Sequence, residues 1–381
     1  MKVNLISEAD LVNNFGHGIW AVYRQQTKGL QESGVQVEKN RFIGGDCDLI
    51  HMHTYGPFSY MKANFTKKPL VMSCHTLPDE VQGSATFAKP LSIFFDAYLP
   101  SFFSKADVII TPTQFTKNEL QKFHVKRPIY VVSNGVDTKK FRFSANKRKE
   151  FRARYGISEK DVVVYNVAEV IMRKGLDVFL EMARRFPQVK FVWVGRQPLG
   201  IFSASYSKVR YMLNTAPANV IFTDFVDDIV AAHCAGDVFF CPTRFENECI
   251  ALLEAASVGN PAMISDIRCF EGWMKDGKNC MKASSLDSYE QKLGRMIKDG
   301  SLRKRLGAGA KRVAVRKDIR KVSKDLLHVY RLAMKQRNER TAVEKAGIVW
   351  MAPIFGASSV FVAFLYAKDK ILRGAVGGRK K

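Results

Sequence analysis

Two carboxylates with seven residues between them, a basic pair after one strand and a histidine after another are the side chains of this chain best placed to do chemistry. The carboxylates are Glu246 and Glu254, in Cys241-Pro-Thr-Arg-Phe-Glu-Asn-Glu-Cys-Ile-Ala-Leu-Leu-Glu254. That stretch begins as an apolar strand, passes a short polar turn and becomes a Leu- and Ala-rich helix. Such a turn aims backbone N–H groups and the positive end of a helix dipole at the ligand edge of a sheet, which suits a nucleotide diphosphate. A carboxylate accepts hydrogen bonds from paired hydroxyls, so sugar and ribose diols are natural partners for the two glutamates. Glu254 could instead be a surface residue, but its neighbours Leu252, Leu253, Ala255 and Ala256 are apolar, which favours a buried role. Arg173 and Lys174 stand at a helix start, where cations can hold phosphate. His75 follows a buried strand; from the residues alone, a structural and a catalytic histidine are equally open. Gly16 and Gly18 by themselves fit an ordinary turn. His51 and His53 alternate with apolar residues and read as packing or supporting groups. No Asp, Glu or Cys has ligand spacing near them, so no metal site is expected.

These residues need a scaffold, and the hydrophobic pattern supplies one. Short β-type runs alternate with amphipathic helices, the signature of parallel sheets built from βαβ units. The first series has strands at Lys2–Ile6, Asp48–His53, Leu70–Cys74, Val108–Thr111 and Ile129–Val132, with helices at Gly18–Gln31 and Thr116–Phe123. After the charged stretch Lys147–Lys160 a second series follows: Val162–Val167, Val189–Val194, Val220–Phe222, Val238–Cys241 and Pro261–Ile264. The expected fold class is α/β, with two Rossmann-like domains facing a cleft, at 1–150 and 151–316. A basic helix at 317–345 and an apolar segment at 346–367 complete the chain. Ligands in such sheets bind beyond the carboxyl ends of the strands.

The chain carries 60 Lys+Arg against 36 Asp+Glu, a net charge of +24 over 381 residues. That excess favours polyanionic partners: nucleic acid, an anionic membrane surface or phosphorylated substrates. No nucleic-acid-binding motif is present, so no nucleic-acid partner is expected. The seven cysteines form no CxxC pair and read as buried thiols of a reducing compartment. Met1–Ser7 reads as a strand, not a signal peptide, which puts the expected catalytic body on the cytoplasmic side.

Ala346–Ala367 has no charge over 22 residues and is bounded by Lys345 and Lys368. It is long enough to cross a hydrocarbon core, with Trp350 and Tyr366 near its ends. The basic tail beyond it and the body before it both prefer the cytoplasmic side. A re-entrant or interfacial hairpin, bent near Pro353 and Gly356, is therefore open beside a straight anchor. Pro90–Phe103 is apolar, aromatic and flanked by Lys89 and Lys105; interfacial insertion and core packing are both open.

Together these motifs resemble the retaining GT-B glycosyltransferases of family 4. Glu246 and Glu254 look like that family's E-x7-E element. Asn134-Gly-Val-Asp-Thr-Lys-Lys-Phe141 resembles its N-G-V-D-x-x-x-F segment between domains, and Arg173-Lys174-Gly175 its diphosphate-binding segment. Gly16-His-Gly18 is similar to its N-terminal glycine loop, and Cys74-His75-Thr76 to the segment whose histidine faces the transferred sugar. The runs His53-Thr-Tyr-Gly-Pro57, Pro112-Thr113, Phe115-Thr-Lys117 and Asp266-Ile-Arg-Cys-Phe-Glu-Gly-Trp273 resemble the branch that extends glucosyl-diacylglycerol lipids.

The resemblance implies a UDP- or GDP-sugar donor, a membrane lipid acceptor, transfer with retention and no metal or other cofactor. It implies catalytic roles for His75, Glu246, Arg173 and Lys174. Substrate contacts would come from Gly16, Gly18, Asn247, Glu248, Glu254 and Arg196. There are departures. The arginine that many members carry after the first strand of the second domain falls here on Ala168 or Glu169, leaving Arg173, Lys174 and Arg196 to supply charge. The glycines usual after the first glutamate are replaced by Asn247, Glu248 and Cys249. A polyprenyl-linked oligosaccharide or surface polysaccharide is the alternative acceptor. A nucleotide-sugar epimerase and a basic nucleic-acid-binding protein are the alternatives from other classes.

Overall fold

The computed structural model describes residues 1–11, 18–77, 98–197 and 205–339. Gly16, residues 90–97 and the apolar segment 346–367 lie outside these. Two six-stranded sheets organise the described chain. The first contains β1 (Lys2–Ile6), β2 (Gln36–Lys39), β3 (Leu49–Met52), β4 (Leu70–Ser73), β5 (Val108–Thr111) and β6 (Ile129–Val131), in the order β2-β1-β3-β4-β5-β6. The second contains β7 (Val163–Val167), β8 (Lys190–Val194), β9 (Val220–Phe222), β10 (Val238–Cys241), β11 (Ala262–Ser265) and β12 (Met281–Ala283), in the order β12-β11-β10-β7-β8-β9.

All the strand pairings are parallel. Parallel sheets are covered on both faces, which is why β3, β4, β5 and β10 read as unbroken buried runs. The order reverses between β1 and β3 in one sheet and between β7 and β10 in the other. Crevices therefore open where β1, β3, β7 and β10 end.

Two strands escape the hydrophobic pattern. β2 (QVEK) and β12 (MKA) are outermost in their sheets, and none of the four β2 residues is fully buried. An edge strand packs against fewer neighbours and needs no continuous apolar run.

The expected domain boundaries shift at two places. Helix Ala145–Arg154 straddles the boundary at 150 but belongs to the second sheet. Arg148 and Arg152 donate to Asp237 at 3.0 and 2.8 Å, and both reach the Ala235 carbonyl. The basic helix, Ile319–Glu339, is not an appendage. Its Ile319, Val322, Leu326, Val329, Tyr330 and Ala333 share one buried cluster with Val3, Leu5, Leu30, Val71 and Val108 of the first domain. The chain thus crosses between domains twice. The two crossings lie side by side, with Val136 and Ile319 joined through the Ile319 N–H and Val136 carbonyl at 2.9 Å.

The described part of the aromatic segment also has an answer. Tyr98, Leu99, Phe102 and Phe103 are buried against β3, β4 and β5, so core packing holds for them. Among the described residues, no helix is long and apolar enough to cross a membrane.

Close approach of Ile319–Glu339 depends on Gly29 in helix Gly18–Glu32. A β-carbon there would stand 2.5 Å from Ser323 Oγ and 2.7 Å from Ile319 Cγ1. Gly29→Val is expected to lower unfolding stability by about 1–3 kcal/mol through overpacking. Denaturant unfolding checks this, and unchanged stability would refute it.

Candidate active site

The turn after β10 brings most of the expected residues together, because a strand end and a helix start meet there. Lys174 donates to Glu246 Oε1 at 2.6 Å. Arg173 is buried and donates to the Phe245 carbonyl at 3.1 Å, while its own carbonyl accepts from Arg244 N at 2.9 Å. The basic pair after β7 and the carboxylate after β10 thus form one unit. Gly175 permits it: φ is +79°, and a β-carbon there would meet the Pro242 carbonyl oxygen at 2.0 Å. Only glycine fits that backbone and that space.

Across the cleft, Asn247 Nδ2 donates to the His75 carbonyl at 2.7 Å. Thr116 Oγ1 donates to Asn247 Oδ1 at 3.2 Å, and Thr113 Oγ1 to the Asn247 carbonyl at 3.0 Å. Asn247 is therefore a bridge between the domains. Gly18 also faces the second domain, with Ile250 Cδ1 at 3.6 Å from where its β-carbon would be.

Glu248 departs from the substrate-binding expectation. It is buried, and both its oxygens are occupied at the double crossing. Ser133 Oγ and Lys317 Nζ each donate to Oε1 at 2.6 Å, and Asn134 N–H donates to Oε2 at 2.7 Å. Lys317 also lies over the Trp273 ring at 4.6 Å. Three donors satisfy a carboxylate that burial would otherwise destabilise, so this side chain holds the domains rather than a ligand.

Glu254 is buried on helix Ile250–Val258 and meets His233 Nε2 at 3.3 Å. Asn260 Nδ2 donates to Tyr165 Oη at 2.7 Å, and Tyr165 Oη lies 2.9 Å from His233 Nδ1. Glu254, His233, Tyr165 and Asn260 thus form one buried chain of polar contacts. Arg196 is exposed after β8, where its carbonyl accepts from Val170 N at 3.0 Å.

His75 stands at the end of a row of three histidines. His53 Nδ1 lies 3.1 Å from His75 Nε2, and His51 and His53 rings are 4.3 Å apart. His51 is bracketed by Tyr330 Oη and Ser73 Oγ, each at 2.8 Å. His51 and His53 therefore support His75, as their alternation on one strand suggested.

Burial, with a smaller push from His75, holds His51 down to about 3. Burial holds His75 down to about 4. His53 is lowered well below 6.5 by burial and then by its two neighbours. All three are neutral at neutral pH.

Sequence reasoning missed His233, Tyr165, Thr113, Thr116 and Tyr330 as partners of the site. Thr113 and Thr116 lie in runs that carried the resemblance but without a role in the site, while nothing in the local pattern marks His233, Tyr165 or Tyr330.

Comparison with known proteins places the chain in a family and a fold. Residues 18–140 match the family model described as Glycosyltransferase Family 4, and residues 147–313 the one described as Glycosyl transferases group 1. A processive diacylglycerol alpha-glucosyltransferase of Acholeplasma laidlawii is 26% identical over 78% of this chain and 88% of its own length. An alpha-galactosylglucosyldiacylglycerol synthase of Streptococcus pneumoniae is 24% identical over 71% of this chain and 74% of its own. Among solved structures, Anabaena HepE in complex with UDP and glucose superposes with a TM-score of 0.69 at 17% identity, covering 86% of this chain and 99% of that one. Sucrose-phosphate synthase from Thermosynechococcus elongatus gives 0.72 at 15% identity, covering 87% and 98%. These likenesses establish the two-domain glycosyltransferase fold.

The histidine row carries a pH signature. An unfolded chain takes up these protons near pH 6.5, whereas the native fold refuses them until about pH 4 or below. Stability is therefore fully present above 6.5 and falls as pH drops from 6.5 toward about 4. Thermal unfolding across that window should show the decline, and a shallower one in His51→Gln. Parallel curves for the two proteins would refute the assignment.

Proposed function

We propose, from the premise that this chain belongs to the glycosyltransferases of family 4, that it moves a hexose from a nucleotide-sugar donor to a glycerolipid or glycolipid acceptor at a membrane. The observation that carries this reading is the Lys174–Glu246 pair at the end of β10, joined through Asn247 to His75 in the other domain. Cations for a diphosphate, a carboxylate for hydroxyls and a histidine from the opposite wall then share one cleft. UDP and glucose are bound by the Anabaena neighbour, and diacylglycerol lipids are named for the two relatives; both support the donor and acceptor classes. The epimerase and nucleic-acid-binding alternatives give way to the transferase.

In this reading the bond from the sugar's anomeric carbon to the leaving diphosphate breaks, and the acceptor oxygen bonds to the same face of that carbon. A diphosphate oxygen takes the acceptor's proton. Arg173 and Lys174 stabilise the charge developing on the leaving group. Glu246 holds sugar hydroxyls once Lys174 turns to phosphate. Glu254, oriented by His233, holds the ribose, and His75 positions the sugar. No metal is required.

A membrane face is supported by helix Pro57–Phe65. Phe58, Met61 and Phe65 are 54%, 57% and 81% exposed, and their spacing puts them on one side of the helix. Ile43 adds to them at 92% exposure, with Phe42 tilted against Phe58 at 5.5 Å between ring centres. Lys62, Lys67, Lys68 and Arg41 surround the patch in sequence, and Lys62 ties the Gly44 carbonyl to the helix at 2.8 Å. An apolar face rimmed by Lys suits an anionic bilayer interface. Arg337 donates to the Thr66 and Lys67 carbonyls at 2.8 and 3.0 Å, so the terminal helix ends beside this face, shortly before 346–367 in sequence.

Purified protein incubated with labelled UDP-glucose or GDP-mannose and total membrane lipids should move label into the organic phase, with EDTA present. Lys174→Ala should lower that rate by about 10²–10³-fold, and Glu254→Ala and His75→Ala should also reduce it. Label entering only a water-soluble acceptor would sink the lipid reading, and dependence on Mn²⁺ would sink the metal-free mechanism. In a chain ending at Glu339, replacing Phe58, Met61 and Phe65 together by Ser should weaken binding to anionic vesicles about tenfold or more, a change of about 1.4 kcal/mol. Unchanged cosedimentation would move the docking face elsewhere.

A further inference from the structure

The corner that holds Glu246 also holds two sulphur atoms that the transfer reaction does not use. Cys241 ends β10 and is buried; Cys249 is half-buried and directly precedes helix Ile250–Val258. Their Sγ atoms are 3.7 Å apart, and both lie with a Glu246 carboxylate oxygen in a group whose ligand atoms are all within 4.8 Å of one another. Two thiolates bound at about 2.3 Å to one tetrahedral ion stand about 3.8 Å apart, whereas disulfide sulphurs meet at about 2.05 Å. The observed spacing, that of two thiols in contact, lets both sulphurs reach one ion without rearrangement.

Three further features point the same way. Cys249 has φ +54°, a left-handed backbone that strains a residue with a β-carbon. Two thiols and one carboxylate form a soft donor set that prefers zinc-class ions to Mg²⁺ or Ca²⁺. Lys174, 2.6 Å from Glu246, supplies the positive charge that balances two thiolates and a carboxylate around a divalent ion.

We propose that Cys241, Cys249 and Glu246 form a binding site for a thiophilic divalent cation of the zinc class, and that its occupancy inhibits sugar transfer. Binding exchanges two thiol protons for the ion, with no change of oxidation state. The inhibitory half rests on the reading of Glu246 as a donor contact, because an ion on its carboxylate withholds it from sugar hydroxyls.

The test uses the reduced full-length chain with Co²⁺ as probe, since thiolate-to-cobalt charge transfer is visible by absorbance. One Co²⁺ per chain is expected, displaced by one Zn²⁺. Cys249→Ser should weaken binding about tenfold or more and move Zn²⁺ inhibition to higher concentration by the same factor. Its transfer activity without added metal should persist. Cys241→Ser provides a second variant if that one folds poorly.

A missing charge-transfer band, or one that survives both substitutions, overturns the site. Loss of titratable thiols without metal also overturns it, in favour of a disulfide. Zn²⁺ binding with undiminished transfer overturns the inhibitory half alone. If the cation binds as described and no nucleotide sugar supports transfer, the site stands and the donor reading of Glu246 falls.

Discussion

The buried carboxylate of Glu248 is the contact on which the arrangement of the two domains depends. It lies where the chain crosses between them, at Ser133–Asn134 on the way out and Lys317 on the way back. A carboxylate taken out of water is costly unless donors and a cation replace its hydration, and here all are present. Removing one partner from a buried pair costs about 3–5 kcal/mol, enough to make the hinge one of the more strongly specified parts of the fold. The loop carrying Glu248 also carries Glu246 and Asn247. Fixing the hinge therefore fixes the rim of the cleft.

That economy explains why adjacent residues do such different work. Glu246 turns to Lys174 and the donor side, Asn247 reaches His75 and Thr116 across the cleft, and Glu248 binds the crossings. A turn of irregular backbone can aim three consecutive side chains at three separate partners, whereas a strand offers its side chains only two opposite faces. The positive φ of Cys249 closes the turn just before the helix. Because the loop touches both domains, any change in domain separation alters the His75–Asn247 contact.

The terminal helix Ile319–Glu339 links this site to the outer face. Its Tyr330 holds His51 at one end of the histidine row, and its Arg337 reaches the end of helix Pro57–Phe65 beside the exposed apolar patch. Asp137, in the segment between domains, is held by Lys28 of helix Gly18–Glu32 at 2.6 Å. Hinge, histidine row and outer face thus share supports, although they lie far apart in sequence.

The positions and parallel character of ten of the strands were legible in the sequence, because a parallel strand buried on both faces must be an unbroken apolar run. Glu246, Lys174 and His75 were legible too, as polar residues placed where such runs end. The edge strands β2 and β12 were not, since an edge imposes little on composition. Other features depended on pairs of distant residues. Whether Phe102 and Phe103 faced lipid or core, whether Glu248 met a ligand or a hinge, and which domain owned the basic helix all turned on partners that local pattern cannot name. Periodicity records which way a side chain faces relative to its own element. Only the assembled fold decides what stands opposite it, and at Glu248 that was Asn134 and Lys317 rather than a sugar.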